Sequence, residues 1–231
     1  PPTPPPSPAR SESLHDSQQG NGAILQDNRS TSDFDGLRIA GNFEVILEES
    51  NQAFVEINTD KNLLEFIDTE VKAGILRVTQ EKKLISKSKI RIFIYYQELN
   101  EIRAMGAALI KNEDYLNSED LEIVMEGAGA VDLKIISDKL KVELSGAGVI
   151  SLAGEVQEQE LNLMGDGKLE AFDLDSKNCD VTVGGLGGAE IYVTEKLNAT
   201  IEGVGSIRYD GQPKDINTEI KGLGRIKPVN Q

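Results

Sequence analysis

The chain of 231 residues has no tryptophan, one cysteine and one histidine. A lone cysteine, Cys179, excludes an intramolecular disulfide framework and any zinc site built on several thiolates. The histidine, His15, falls in a Pro- and Ser-rich leader, so neither an ordered histidine base nor a histidine metal ligand is expected. Positive charge is scarce: 24 Lys and Arg stand against 39 Asp and Glu, for a net charge of -15. Nucleic acid and anionic bilayer surfaces are not expected partners, because phosphate binding needs concentrated cations. No run reaches the roughly eighteen apolar residues of a membrane-spanning helix, and no basic-then-apolar signal segment is present.

What remains is enough for a sizeable core, since 39% of the residues are hydrophobic. Six of the eight prolines lie within the first eight residues, and residues 1–23 read as a polyproline-like, then flexible, tether. Residues 24–98 carry short alternating runs, "LRI", "FEVIL", "FVEI", "ILRV" and "IRIFIYY", whose period of two predicts a β-rich N-terminal portion. The mixed pattern of "DKNLLEFIDTEV" is compatible with a helical turn, but strands joined by a loop are the expectation there.

Residues 99–231 repeat. Small-residue motifs begin at Gly106, Gly127, Gly146, Gly165, Gly185, Gly203 and Gly222, with successive spacings of 21, 19, 19, 20, 18 and 19 residues. Most contain a second glycine two residues on: Gly129, Gly148, Gly167, Gly187, Gly205 and Gly224. Aligned on the first glycine, the positions two and four before it and four after it are mostly aliphatic, whereas the odd offsets between them are mostly polar. Each repeat therefore predicts a strand, a Gly-x-Gly corner, a second strand and a variable turn. About seven such coils, stacked at roughly 4.8 Å, give an all-β parallel solenoid about 30 Å long.

The stretch "VTVGGLGGAEIYV", residues 181–193, tests the alternatives for these glycines. A dinucleotide loop would lead into a helix, and here the glycines lead into another strand. A calcium-binding Gly-Gly-x-Gly-x-Asp repeat would end in a carboxylate where Ala189 stands. Corners are the remaining role, with glycine expected to supply positive φ and close backbone approach.

The corners, together with "FDGLRIAGNFEVILEE", "TDKNLLEFIDTEVKAGILRV" and "LNEIRAMGAALIKNE", resemble the bacterial putative auto-transporter adhesin, head GIN domain family. The resemblance covers roughly residues 34–229; Ala108 departs from it by replacing the second glycine of the first corner. It implies an exported protein of the cell envelope, in the periplasm or at the cell surface, often lipid-anchored through residues upstream of this chain. It implies no catalytic residue and no cofactor.

Candidate sites come from the outward columns. Phe172 and Tyr192 share outward parity on adjacent coils, as an aromatic pair or as packing against a turn. Asn162, Thr182 and Thr200 form an uncharged row that cross-strand hydrogen bonding alone would explain. Glu170 and Glu190 stack as like charges, relieved by solvent and Arg208 or by a cation, and Cys179 falls in an inward column with Leu140 and Leu197. Three functions follow: a binding or adhesion module for a glycan or protein ligand, a self-associating homo-oligomeric scaffold, or a polysaccharide-cleaving enzyme. The third lacks a clustered acid, base and arginine, so a non-enzymatic module is expected.

Overall fold

The computed structural model describes residues 17–229; the first sixteen residues of the expected tether lie outside them. Strands β1 (Ser17–Gln19) and β2 (Ile24–Ser30) precede a first coil made by β3 (Gly36–Gly41) and β4 (Glu44–Glu49). An excursion follows, with β5 (Phe54–Asp60), a 3-10 helix (Lys61–Phe66), β6 (Ile67–Lys72), β7 (Ile75–Gln80), β8 (Lys83–Ile85) and β9 (Arg91–Tyr96). The chain rejoins the stack at β10 (Glu101–Gly106) and β11 (Leu109–Asn112). Four long strands, β12 (Leu116–Gly127), β13 (Ala130–Gly146), β14 (Val149–Leu163) and β15 (Lys168–Val183), bend around the far side of each coil. Five shorter strands complete the fold: β16 (Gly188–Tyr192), β17 (Lys196–Ile201), β18 (Ser206–Asp210), β19 (Asp215–Ile220) and β20 (Arg225–Pro228).

These strands stack in parallel as a β-solenoid of about seven turns, with one sheet leading into the glycine corners and a second leading away. Register follows the sequence repeat. Ile102, Ile123, Val142, Leu161, Val181 and Ala199 sit one above another on the entering sheet, and Ile110, Val131, Ile150, Leu169, Ala189 and Ile207 on the leaving sheet, all buried. Side chains alternate in and out along each strand, so the two inner faces merge into one core running from Phe34 to Ile207. The 20-residue spacing between Gly165 and Gly185 is absorbed by a register shift: Ser151 pairs with Glu170 but Ala153 with Asp173, a bulge that places one extra residue near Phe172.

The corners confirm one of the two expected roles of glycine and correct the other. Of the seven first glycines, only Gly106 and Gly127 have positive φ. Close approach governs the rest: a methyl group on Gly146 would overlap the carbonyl oxygen of Gly127, and the same holds for Gly165 on Gly146, Gly185 on Gly165, Gly203 on Gly185 and Gly222 on Gly203. Those carbonyls accept an N–H from the next coil's corner, from Ala128 to Gly106 (2.9 Å), Ala147 to Gly127 (2.9 Å), Asp166 to Gly146 (2.8 Å), Gly187 to Gly165 (3.3 Å), Val204 to Gly185 (3.2 Å) and Leu223 to Gly203 (2.9 Å).

The N-terminal portion is the base of this same stack. β3 and β4 pair in register with β10 and β11, Gly41 lies under Gly106, and no break in the core falls at residues 98 and 99. β7 and β9 then lie beneath β3 and β4, and the antiparallel strands β6, β5 and β2 flank them. Leu63 of the 3-10 helix is fully buried, so the "DKNLLEFIDTEV" segment is a helical turn followed by β6 and not strands with a loop. The Arg29 guanidinium fastens β2 to this end, with Nη1 donating to the Ile67 carbonyl (2.6 Å) and Thr69 Oγ1 (3.1 Å) and Nη2 donating to the Leu64 carbonyl (3.0 Å). Ser17–Gln19, expected in the tether, instead pair with β8, because Asn62 Nδ2 donates to the Gln19 carbonyl (2.8 Å) and the Asp60 carboxylate accepts the Gly22 N–H.

At the other end of the described residues β19 and β20 each have one neighbour in the stack, β17 and β18, and every residue of β19 is exposed.

Candidate functional site

Asn162, Thr182 and Thr200 lie side by side on the entering sheet, continued by Glu143 and Val124 on one side and Glu219 on the other. All three are half-buried. Asn162 Nδ2 donates along its own strand to Glu160 (3.1 Å). The cross-coil bonds run in the next row, where Asn217 Nδ2 donates to Asn198 Oδ1 (3.1 Å) and Asn198 to Asp180.

Phe172 and Tyr192 lie on the leaving sheet, beyond the corner, so they share no surface with the Asn162 row. The Arg208 guanidinium sits over the Phe172 ring, 5.5 Å from its centroid, and Tyr192 is half-buried beside the Ser176 hydroxyl, which donates to its carbonyl (2.6 Å). Among the described residues, the stacked aromatic pair is Phe54 with Tyr95, at 4.0 Å.

The column Glu170, Glu190, Arg208 and Lys227 is in register as expected. Its carboxylates are relieved by the chain's own cations. Lys168 Nζ reaches Glu170 (3.0 Å) and Glu190 (3.3 Å), and Arg208 Nη1 reaches Glu190 (2.8 Å). The hydrogen bond from Lys168 and its charge hold the Glu170 carboxyl below the usual carboxylate range. Lys168 can lean across because its register partner is Gly188, which offers no side chain. Sequence spacing placed Lys168 one step from this pair, but only the register shows that it bridges both.

Cys179 is buried in an inward column with Leu140 below and Leu197 above, and burial, with the charge of Asp180 adding, pushes its thiol well above the ordinary value. Such a thiol is a core group and not a nucleophile. The column also holds Gln159, directly beside Cys179. No group of three or more His, Cys, Asp or Glu among the described residues is placed to hold a metal.

Two features carry no signal in the aligned columns. The first is Glu44, 9% exposed and ringed by Lys111 (3.1 Å), Arg91 (3.2 Å) and Lys89 (3.4 Å). Burial alone would raise its pKa; hydrogen bonds from Lys111 and Arg91 and the nearby positive charges outweigh it and hold the carboxyl low. The second is the corner itself. The middle residue of each Gly-x-Gly points outward, and along the stack it changes from Ala107, Ala128 and Ala147 to Asp166 and then Leu186, Val204 and Leu223. The last three are 65%, 48% and 86% exposed, and Met164, 54% exposed, flanks them over Gly184. The result is an apolar ridge joining the two outer faces along the C-terminal coils.

Comparison with known proteins fits this architecture. The family model described as "Putative auto-transporter adhesin, head GIN domain" matches residues 33–213. Among solved structures, a putative adhesin from Bacteroides fragilis is 27% identical with a TM-score of 0.86, over 92% of this chain and 100% of that one. A putative lipid binding protein from Parabacteroides distasonis (24% identity, TM-score 0.78) and a putative adhesin from Parabacteroides merdae (24%, 0.69) share the fold, each over 93% of this chain and 100% of the other. Comparison with curated proteins gives no match.

Proposed function

Because the chain belongs to the putative auto-transporter adhesin, head GIN domain family, we propose that it is a non-enzymatic binding module of the bacterial cell envelope, exported and acting in adhesion. The observation that carries this reading is the ridge of exposed Leu186, Val204 and Leu223 on three successive corners, whose backbones are joined coil to coil through Gly187, Val204 and Leu223. Contiguous exposed apolar side chains on a rigid scaffold mark interaction surfaces more often than catalytic ones. The polar rows on either side suit a glycan or protein ligand, with Phe172 and Tyr192 on one flank and Asn162, Thr182 and Thr200 on the other. Ion pairing of Glu170 and Glu190 with Lys168 and Arg208 argues against their use as an acid and base pair. Among the described residues, no helix is long and apolar enough to cross a membrane.

An array of glycans and matrix proteins tests this, probed with the wild type, Leu186→Ser/Leu223→Ser and Phe172→Ala/Tyr192→Ala. Binding that is lost in the ridge variant and kept in the aromatic one places the ligand on the corner; the reverse places it on the leaving sheet. A blank array for the folded wild type removes the adhesive reading. The second reading, a self-associating scaffold, is favoured by the exposed Ile24 and Leu25 on β2, a strand with one neighbour.

A further inference from the structure

A cavity of about 450 Å³ opens between the segment joining β8 to β9 and the first corners of the stack, at Asn42 and Ala107. It falls within the roughly 300–1,000 Å³ of small-ligand sites. Its floor is apolar, made by the buried Phe43, Leu84 and Ile90. Its rim carries Lys87, Lys89, the Ser88 hydroxyl and the Asn42 amide. Lys89 and Ser88 also border a second hollow of about 400 Å³, which Arg91 and Asn58 line as well. Among the described residues Glu44 is the one carboxylate lining either hollow.

This place holds more positive charge than the chain itself uses. Glu44 is a single buried carboxylate, yet Lys111 (3.1 Å), Arg91 (3.2 Å) and Lys89 (3.4 Å) all reach it. Lys87 is exposed and, among the described residues, has no partner. Four cations thus stand around one anion, in a chain whose net charge is -15. Like charges gathered so closely repel one another, and the cluster is left short of anions.

The lysines are also held in place. β1 pairs with β8, and the Gly20 N–H donates to the Ile85 carbonyl (2.8 Å). The Ser86 hydroxyl donates to the buried Asp60 carboxylate and accepts the Ser88 N–H (3.1 Å), and the Glu44 N–H donates to the Ile90 carbonyl (2.9 Å). The segment from Ser86 to Ile90 is pinned at both ends, so much of the cost of ordering it is met before a ligand arrives.

The lining selects the ligand. Ammonium groups call for an anion, an unengaged hydroxyl and amide call for hydroxyl partners, and an apolar floor calls for a C–H face. A sugar ring bearing a carboxylate or a sulfate meets all three. A long polyanion does not suit, because the net charge of -15 repels it beyond this patch. We propose that this cavity binds a short glycan end carrying a carboxylate or sulfate, with Lys87 and Lys89 on the anion. The site lies on the first coils, apart from the ridge of Leu186, Val204 and Leu223, and does not rest on the role of that ridge.

Calorimetric titration of the full chain tests this, with digalacturonate, sulfated galactobiose and neutral galactobiose as probes. Saturable binding of at least one anionic disaccharide, and none of the neutral one, is expected. Lys87→Glu/Lys89→Glu is expected to weaken that binding by about tenfold or more, as the loss of charge-assisted contacts does. Lys177→Glu/Lys196→Glu, an equal change of charge at exposed positions on later coils, is expected to keep it. Lys87→Ala breaks no hydrogen bond or ion pair, so it is expected to weaken binding with an unchanged circular dichroism spectrum. Failure of both anionic disaccharides to bind overturns the proposal, as does equal binding of galactobiose or equal loss in the two charge-reversal pairs. Tighter binding of the dipeptide Glu-Glu than of either anionic disaccharide also overturns it, and makes the cavity a site for acidic peptide.

Discussion

Gly146 rests on Gly127 with no room for a Cβ between them: the Gly127 carbonyl oxygen occupies the space that an alanine methyl at Gly146 would need, and it accepts the N–H of Ala147 at 2.9 Å. The spacing between coils is set by this contact as much as by the strand ladders on either side.

Gly146→Ala is therefore expected to destabilise the fold by about 1–3 kcal/mol through overpacking. Its φ is not in the left-handed region, so steric overlap and not backbone strain is the cause. Ala147→Ser, one residue on and pointing outward, is expected to stay within about 0.5 kcal/mol of the wild type. Urea unfolding midpoints at constant slope distinguish the two.

Arg29→Ala removes three hydrogen bonds from this end of the fold, taking the guanidinium from the Ile67 carbonyl and Thr69 while the Leu64 carbonyl keeps only the Ile67 N–H. A loss of about 1.5–3 kcal/mol is expected, in line with hydrogen bonds made by a charged group. Arg29→Lys recovers little of it, because an ammonium cannot reproduce the planar fork. Faster amide exchange in residues 61–72 than in β13–β15 would show that this end loosens first.

Acid should weaken the fold through carboxylates held low in the native state: Glu44, Glu101 and Glu170. For Glu101, as for Glu44, burial pulls upward but is outweighed, here by Arg103 and Arg38. A depressed native pKa means stability that is fully present above the ordinary carboxylate range and lost as pH falls through the native values, from about pH 5 downward. Glu44→Gln should flatten part of that acid limb and lower stability at neutral pH, where Lys89, Arg91 and Lys111 lose their shared anion. Urea midpoints measured against pH for both proteins check the sign.

Gln159→Leu is expected to stabilise by about 1 kcal/mol, because the buried Oε1 of Gln159 has no partner and an unsatisfied buried acceptor costs about that much. Ser176, which accepts from Gln159 Nε2 (2.8 Å), keeps its own bond to the Tyr192 carbonyl. Thermal unfolding of the variant beside the wild type reads the difference, and a lowered midpoint would mean that Gln159 organises the turn.

The alternation around the glycines was sufficient to find the solenoid, its inward columns and the burial of Cys179, because a period of two fixes which side chains meet the core. Gly41 escaped for a reason of distance. Leu37, Ile39 and Val45 occupy its inward positions correctly, but 65 residues (106 − 41) of intervening strands separate it from Gly106, so no fixed spacing announces it. Lys168 escaped because its role depends on the glycine opposite, a relationship across coils. Leu186, Val204 and Leu223 were visible as residues but not as a surface, since the glycines on both sides draw attention to the corner and not to what it displays. The exposure of Ile216 and Ile220 is silent in sequence: they look like every other core position, and whether they are covered depends on what stacks next.

The base of the stack has a kinetic consequence. It is assembled from the first hundred or so residues of the chain, which emerge from the ribosome before any later coil exists. Each later stretch of about nineteen residues then meets a finished edge whose register, glycine on glycine, dictates its own. Because each coil contacts only its neighbours, a chain cut after a whole coil is expected to leave a shorter but correctly wound object.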